Sequence, residues 1–203
     1  MRERRLRIGR VEELNDDFEL LGQALAQKDA RISMRKLRRE IDRQFGVLCM
    51  SKKRDCPQMW AHYGDSHKGM VLAFDVPTDD FFEVHYVEDR PRDSEFALPG
   101  SGEIQQVDVM DLARTKSNGW IYEAEYRAVL PLVNGVEIDK KIHYFLPFSD
   151  RLRLRQVMVG SRFQRRRAFV EKAVADREVE IFQARGSFHD FRVVRQENDR
   201  LWR

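Results

Sequence analysis

The segment WIYEAEYRAVL, residues 120–130, alternates residue by residue over its whole length. A period of two places successive side chains on opposite faces of a strand, so this stretch commits the chain to a sheet with two unlike surfaces. One set is Trp120, Tyr122, Ala124, Tyr126, Ala128 and Leu130, and the other is Ile121, Glu123, Glu125, Arg127 and Val129. The aromatic set is predicted to face the core. The second set then puts two carboxylates and a guanidinium within about 14 Å of strand, at roughly 3.4 Å per residue. On an open face these are a polar outer surface. In a cleft, the carboxylates can orient a sugar hydroxyl or act as a base, while Arg127 fixes one of them or binds an anion.

Other segments supply the rest of an α+β fold. Asn15-Asp16-Asp17 are capping residues ahead of Phe18, Leu20, Leu21 and Leu25, and Ile32, Leu37, Ile41 and Phe45 make one helical stripe that Gly46 ends. Val47 to Met50 reads as a short buried strand, and Met70 to Phe74, apolar on both faces, as a central one. Phe81 to Val87 reads as the next strand, and residues 89–119 as a long loop with a helical turn near Val109 to Leu112. Asn134-Gly135 predicts a hairpin that returns residues 120–130 antiparallel through Ile142 to Leu146. Leu152 to Val159 and Val179 to Ala184 flank an amphipathic helix over Arg162 to Arg177. The expectation is one domain over residues 1–203, with a mixed or antiparallel central sheet containing 69–76 and 120–130 and the N-terminal helices packed on it.

Composition narrows the function classes. Hydrophobic residues at 42% and aromatic residues at 10% are enough for a buried core, which excludes wholesale disorder. No apolar run approaches the roughly 20 residues that span a bilayer, and MRERRLRIGR lacks the apolar stretch of a signal peptide, so a cytoplasmic protein without a membrane partner is expected. Cys49 and Cys56 carry no zinc spacing and no disulfide framework; no metal site is expected. The formal charge is only +3, from 37 Lys and Arg against 34 Asp and Glu. Its distribution is uneven: Arg151, Arg153, Arg155, Arg162, Arg165, Arg166 and Arg167 lie in a stretch without an acidic residue after Arg151. Such a stretch reads first as a solvated face that needs no partner; its field also attracts phosphates, and weak binding of nucleic acid or another polyanion is the functional expectation for Arg151, Arg153, Arg155, Arg162, Arg165 and Arg166.

The stretch DCPQMWAHYGDSHKGMVLAFDV, residues 55–76, gathers Trp60, His62, Tyr63 and Lys68 ahead of an apolar strand. Trp60 and Tyr63, three apart, share a helix face; His62 titrates near neutrality; Lys68 beside Gly69 can set an ammonium next to backbone N–H groups, which suits a phosphate. As core residues the same aromatics would pin a short helix to the sheet.

GVLCMSKKRDCPQMWAHYGDSHKGMVLAFDV resembles the Cys-x-Ser then Pro-x-Met-Trp-x-His-Tyr pattern of the domain-of-unknown-function 2971 family. LNDDFEL is similar to its Asn-Asp-Pro-Phe-Glu segment, with Asp17 at the proline, WIYEAEYRAVL to its Trp-x-Tyr-Glu-x-Glu-(Trp/Tyr)-Arg motif, and LRQVMVGSRF to the strand and glycine near its end. Where that family opens on a Tyr-Lys-Tyr-like strand, this chain offers only Leu6-Arg7-Ile8. The resemblance implies a bacterial or phage-associated protein and names no general activity. The layout is also similar to that of ADP-ribosyltransferases, an analogy of fold order only. It implies a nucleotide-using enzyme with NAD as substrate, no bound cofactor, Glu125 or Glu123 as catalytic acid, Tyr63 or Trp60 as stacking ring, His62 or Lys68 on ribose or pyrophosphate, and Arg127 lining the same pocket. The alternative is a non-catalytic structural or nucleic-acid-binding module that uses the Arg151–Arg167 basic cluster.

Overall fold

In the computed structural model, residues 3–20, 28–90 and 106–202 are described; Leu21, Leu25 and the loop prolines and glycines of 91–105 lie outside them. The strands are, in chain order, β1 (Arg5–Arg10), β2 (Phe45–Ser51), β3 (Met70–Asp75), β4 (Phe82–Glu83), β5 (His85–Val87), β6 (Thr115–Ser117), β7 (Glu125–Pro131), β8 (Val136–Ile138), β9 (Lys141–Pro147), β10 (Arg153–Val159), β11 (Glu180–Gly186) and β12 (Val193–Arg195). The helices are α1 (Lys28–Gln44), α2 (Pro57–His62), α3 (Gln106–Leu112) and α4 (Arg167–Val174). The class is α+β, with antiparallel and mixed sheets. Among the described residues no helix is long and apolar enough to cross a membrane.

The chain forms two compact units, each assembled from separate pieces. One contains residues 6–51 and 78–146, and the other residues 1–5, 52–77 and 147–203. The two predicted central strands therefore do not share a sheet: β7 lies in a six-stranded sheet of order β4-β7-β2-β1-β9-β8, and β3 in a four-stranded sheet of order β12-β11-β10-β3. β5 and β6 make a separate parallel pair.

In the 6–51/78–146 unit, β2 pairs antiparallel with β7 from Phe45↔Pro131 to Ser51↔Glu125. Gly46 does not stop α1, which ends at Gln44. It lies inside β2, where a Cβ would stand 2.6 Å from Ile8 Cγ2 and 2.7 Å from the Gly9 carbonyl, so the close passage of β1 requires glycine. Leu6-Arg7-Ile8 does form an opening strand, β1, paired antiparallel with β2. The apolar stripe of α1 runs through Met34, Leu37 and Ile41, whereas Ile32 is exposed. Leu37 and Ile41 join Val11, Leu20, Phe45, Phe82, Val109, Leu112 and Val129 in one core.

Residues 120–130 are not a single strand. Asn118–Glu123 is a 3-10 helix, Ala124 follows in the left-handed region at φ 44°, and the strand starts at Glu125. The more buried face is also not the one expected: Glu125, Arg127 and Val129 are all buried, whereas of the expected core set in this strand only Ala128 is buried and Tyr126 and Leu130 are half-buried. The tight turn of the next hairpin is Asp139-Lys140, at φ 51° and 64°, between β8 and β9; β9 sits beside β1, not β7. The Phe81–Val87 strand breaks at buried Val84 into β4, paired with β7, and β5, paired with β6.

The other unit is a mixed sheet covered on both faces. On one face Leu154, Val157, Val159, Val170, Val174, Val179 and Trp202 pack together, and on the other Trp60, Met158, Phe182, Ala184 and Val193. β3 is an edge strand rather than a central one. Its two-sided apolar character is explained by Leu72 and Phe74 meeting the first cluster and Val71 and Ala73 the second. The predicted Arg162–Arg177 helix is only α4, with Arg166 as its N-cap, so Arg162 and Arg165 precede the helix instead of circling its first turn.

Candidate functional site

Two sites emerge, one in each unit. The first is a buried ionic hub. Asp16 starts a tight turn, its Oδ1 accepting from Phe18 N–H at 2.9 Å and its carbonyl from Glu19 N–H at 3.0 Å, and this turn carries Glu19 inward. β6 supplies Lys116, the 3-10 helix Glu123, and β7 Glu125 and Arg127, all 5% exposed or less. Arg127 Nε and Nη2 donate to Glu125 Oε1 and Oε2 at 2.9 Å each, Nη1 and Nη2 donate to Glu19 Oε2 and Oε1 at 2.7 and 2.6 Å, and Nη1 also donates to the Ala113 carbonyl at 3.0 Å. All five guanidinium N–H groups are thus used. Lys116 Nζ lies 2.6 Å from Glu123 Oε2, 3.1 Å from Glu125 Oε2 and 3.3 Å from Glu19 Oε1, so its three hydrogens have three carboxylates.

Electrostatics follow from this geometry. Desolvation raises the Glu125 carboxyl, but the Arg127 hydrogen bonds, the Arg127 charge and the Lys116 charge outweigh it and hold the group below the usual carboxylate range. Desolvation likewise opposes the charged forms of Lys116 and Arg127, and the surrounding glutamates reverse that, holding both above their ordinary values. Cys49, the register partner of Arg127, keeps surface in contact with water yet is set among many protein atoms. Desolvation and then the Glu125 charge push its thiol well up. Contact with water weakens the first cause and leaves the second, so the protonated thiol is the neutral-pH form. A small hollow of about 150 Å³, lined by Asp16, Phe18, Arg90 and Lys116 among others, adjoins the hub. Ligand pockets are typically about 300–1,000 Å³, so this hollow is too small for a nucleotide.

The second site is a cleft of about 420 Å³ over one face of the four-stranded sheet. Its floor is Trp60, Met158, Phe182, Ala184 and Val193, and its rim carries Lys52, Lys53, Arg54 and Arg195. A chain of polar side chains crosses the strands: Arg54 Nη1 donates to Gln156 Oε1 at 2.7 Å, Gln156 Nε2 to Glu180 Oε2 at 2.7 Å, and Arg195 pairs with Glu180 while lying 4.7 Å above the Phe182 ring.

Trp60 is 1% exposed, and its Nε1–H donates to the Arg54 carbonyl at 2.8 Å. It is a core residue that floors the cleft, not an open stacking ring. His67 stacks on it at 6.0 Å, and Gly64 is crowded against it, since a Cβ there would lie 2.7 Å from the Trp60 carbonyl. Asp65, Ser66 and His67 form a left-handed turn at φ 46°, 52° and 67° that returns the chain to β3. His62, Tyr63 and Lys68 are exposed on this segment and do not line the cleft.

The structure thus brings Glu123, Glu125 and Arg127 together in one unit and holds Trp60, His62, Tyr63 and Lys68 in the other. Arg151, Arg153, Arg155, Arg162, Arg165 and Arg166 share that second unit. Arg153 pairs with Glu178 and Arg155 with Asp75. Arg162, Arg165 and Arg166 are exposed and, among the described residues, have no carboxylate partner. Of the hub's remaining members, Lys116 carries no signal in the sequence, whereas Glu19 is the glutamate of the LNDDFEL segment, where the resemblance marks it without giving it a role. Comparison of the chain with family models, curated proteins and solved structures gave no match.

Proposed function

We propose that the chain is a non-catalytic module that binds nucleic acid through its 1–5/52–77/147–203 unit. The observation that carries this reading is a segregation of charge that the total of +3 conceals. That unit holds 21 Lys and Arg against 12 Asp and Glu, a formal +9, and the other holds 16 against 22, a formal −6. A field of this size concentrates polyanions at the basic surface, and each phosphate neutralised releases counterions. Arg162, Arg165 and Arg166, without competing carboxylates, are the primary phosphate contacts, and the rim of Lys52, Lys53, Arg54 and Arg195 supplies a second basic row.

The NAD-cleaving alternative needs Glu125 or Glu123 to meet a ribose. Glu125 already accepts from Arg127 at both oxygens and from Lys116 at one, which favours a structural role for the carboxylate. Membership of the domain-of-unknown-function 2971 family, carried by the central sequence patterns, is compatible with either activity and stays part of this proposal.

The test is fluorescence anisotropy with labelled nucleic acid at low and high salt. Wild type binds at low salt and weakens steeply as salt rises, and the triple variant Arg162→Ala/Arg165→Ala/Arg166→Ala flattens the log K against log salt slope by about 2–3. Absence of binding at low salt overturns the reading.

A further inference from the structure

β11 and β12 are joined by a six-residue loop, residues 187–192, closed by the Ser187 N–H donating to the Arg192 carbonyl at 2.8 Å. This turn has its own stabilisation: His189 N–H donates to Ser187 Oγ at 3.2 Å, and Arg192 Nε and Nη2 donate to Asp190 Oδ2 at 2.8 and 2.5 Å. Yet its sequence, SFHDFR, carries two phenylalanines, Phe188 at 83% and Phe191 at 99% exposure. Turn formation requires neither ring, and both stand in water. A lone exposed apolar residue needs no explanation, whereas two such rings on one six-residue loop, with only Arg185 lying over one of them, leave aromatic area open to a ligand.

The surroundings point to the partner's chemistry. Arg185 lies 4.2 Å over the Phe188 ring, held in place by its Nη1 donating to the Gly186 carbonyl at 2.9 Å. The loop belongs to the unit of formal charge +9. Aromatic rings that project from a cationic body match a ligand that is both π-faced and anionic. We propose that Phe188 and Phe191 are a stacking platform for unpaired bases, so that this module prefers single-stranded to double-stranded nucleic acid. Every base offers a π-face, so stacking is tolerant of sequence, but a duplex hides those faces within its stack and presents only edges and phosphates. Arg185, over Phe188, adds a cation beside the ring that complements the charge of a nucleic-acid strand.

This inference rests on the nucleic-acid reading above, and the experiment separates the two. Anisotropy is measured with a short labelled oligothymidine and with a duplex of the same length, for wild type, for Phe188→Ala/Phe191→Ala and for Phe191→Trp. Because the rings contact little, the double alanine variant keeps the wild-type melting temperature. It loses roughly tenfold or more in affinity for the single strand and at most about twofold for the duplex. Phe191→Trp retains single-strand binding, and its indole fluorescence is quenched by oligothymidine and not by duplex. Equal losses on both ligands, no loss on either, or unquenched tryptophan overturns the platform. Ring-dependent co-sedimentation with anionic lipid vesicles, without a single-strand preference, reassigns the loop to a membrane and also overturns it. A wild type that binds both strands alike with salt dependence removes the platform alone, whereas one that binds neither at low salt removes the nucleic-acid reading with it.

Discussion

Arg127 and Glu125, two residues apart on one strand, face the same way and join through two parallel hydrogen bonds of 2.9 Å, with Arg127 itself fully buried. The guanidinium fork fits the carboxylate at its Nε edge and leaves its Nη1/Nη2 edge for Glu19. Removing the cation leaves three buried glutamates around Lys116 alone. Arg127→Met is therefore expected to destabilise the protein by about 3–5 kcal/mol, because breaking a buried pair strands the remaining charge. Arg127→Lys should rescue little, since an ammonium cannot serve two carboxylates in the plane of a fork. Urea unfolding measures both; a loss below about 1 kcal/mol for Arg127→Met, the range of surface pairs, would refute the hub as a structural element.

The hub also sets acid stability. The folded state holds Glu125 below its ordinary range, so as pH falls the unfolded chain takes up this proton first. The stabilisation is complete above the unfolded value of about 4.3 and is lost as pH descends through the lower folded value. Urea midpoints measured from neutrality downward should be insensitive to this group until about pH 4.3 and then decline more steeply for wild type than for Glu125→Gln. Parallel curves would show that Glu125 carries no such linkage.

Gly160 presents a test of the turn between α2 and β3. A Cβ there would lie 2.0 Å from the His67 carbonyl oxygen and 2.6 Å from its carbon, and these are backbone atoms fixed by Arg162 N–H donating to His67 O and Gly160 N–H to Gly69 O. Gly160→Ala should cost about 1–3 kcal/mol or more by overpacking. Gly119→Ala, whose nearest neighbour would be Ser117 Oγ at 3.8 Å, is the control and should be close to neutral. Calorimetry on both decides, and equal melting temperatures would contradict the close approach.

What could be read in the sequence was local and what could not was long-range. The α+β class, the positions of β3, β10 and β11 and the alternation of Glu125, Arg127 and Val129 all follow from periodicity. The direction of that alternation does not. Period two separates two faces without saying which is buried, and charge argued for the outside. Inside is possible here only because Glu19 and Lys116 converge on Arg127 and Glu125 from elsewhere in the chain, and no spacing encodes that meeting. Apolar character on both sides of β3 reported coverage of both faces correctly, but an edge strand covered by two cores looks the same in sequence as a central one. Gly46 could be read only as a helix stop and Gly160 only as the glycine after a strand, because the neighbour each must admit comes from a distant part of the chain. The segregation of charge was invisible for a similar reason: each unit is pieced together from separate stretches, so only the fold sorts the residues into +9 and −6.

Glu125→Gln distinguishes a structural from a catalytic carboxylate by the sign of its effect on stability. Catalytic groups are held in place against the preference of the fold, and neutralising one commonly leaves stability unchanged or raises it. Glu125 is in the opposite situation, because Oε1 accepts from Arg127 Nε and Oε2 from both Arg127 Nη2 and Lys116 Nζ. An amide in its place must set an NH₂ group against at least one cationic donor, and the buried cations lose one of their counter-charges. A destabilisation of about 3 kcal/mol is expected, within the range for breaking a buried pair. For a chain of this length each kcal/mol corresponds to about 2–4 °C, so the melting temperature should fall by roughly 6–12 °C. Incubation with NAD and measurement of released nicotinamide, for wild type and for the variant, completes the experiment. No release from either protein with a lowered melting temperature agrees with the structural hub. Turnover by wild type that disappears in Glu125→Gln at an unchanged melting temperature would instead make Glu125 catalytic and overturn the non-catalytic reading.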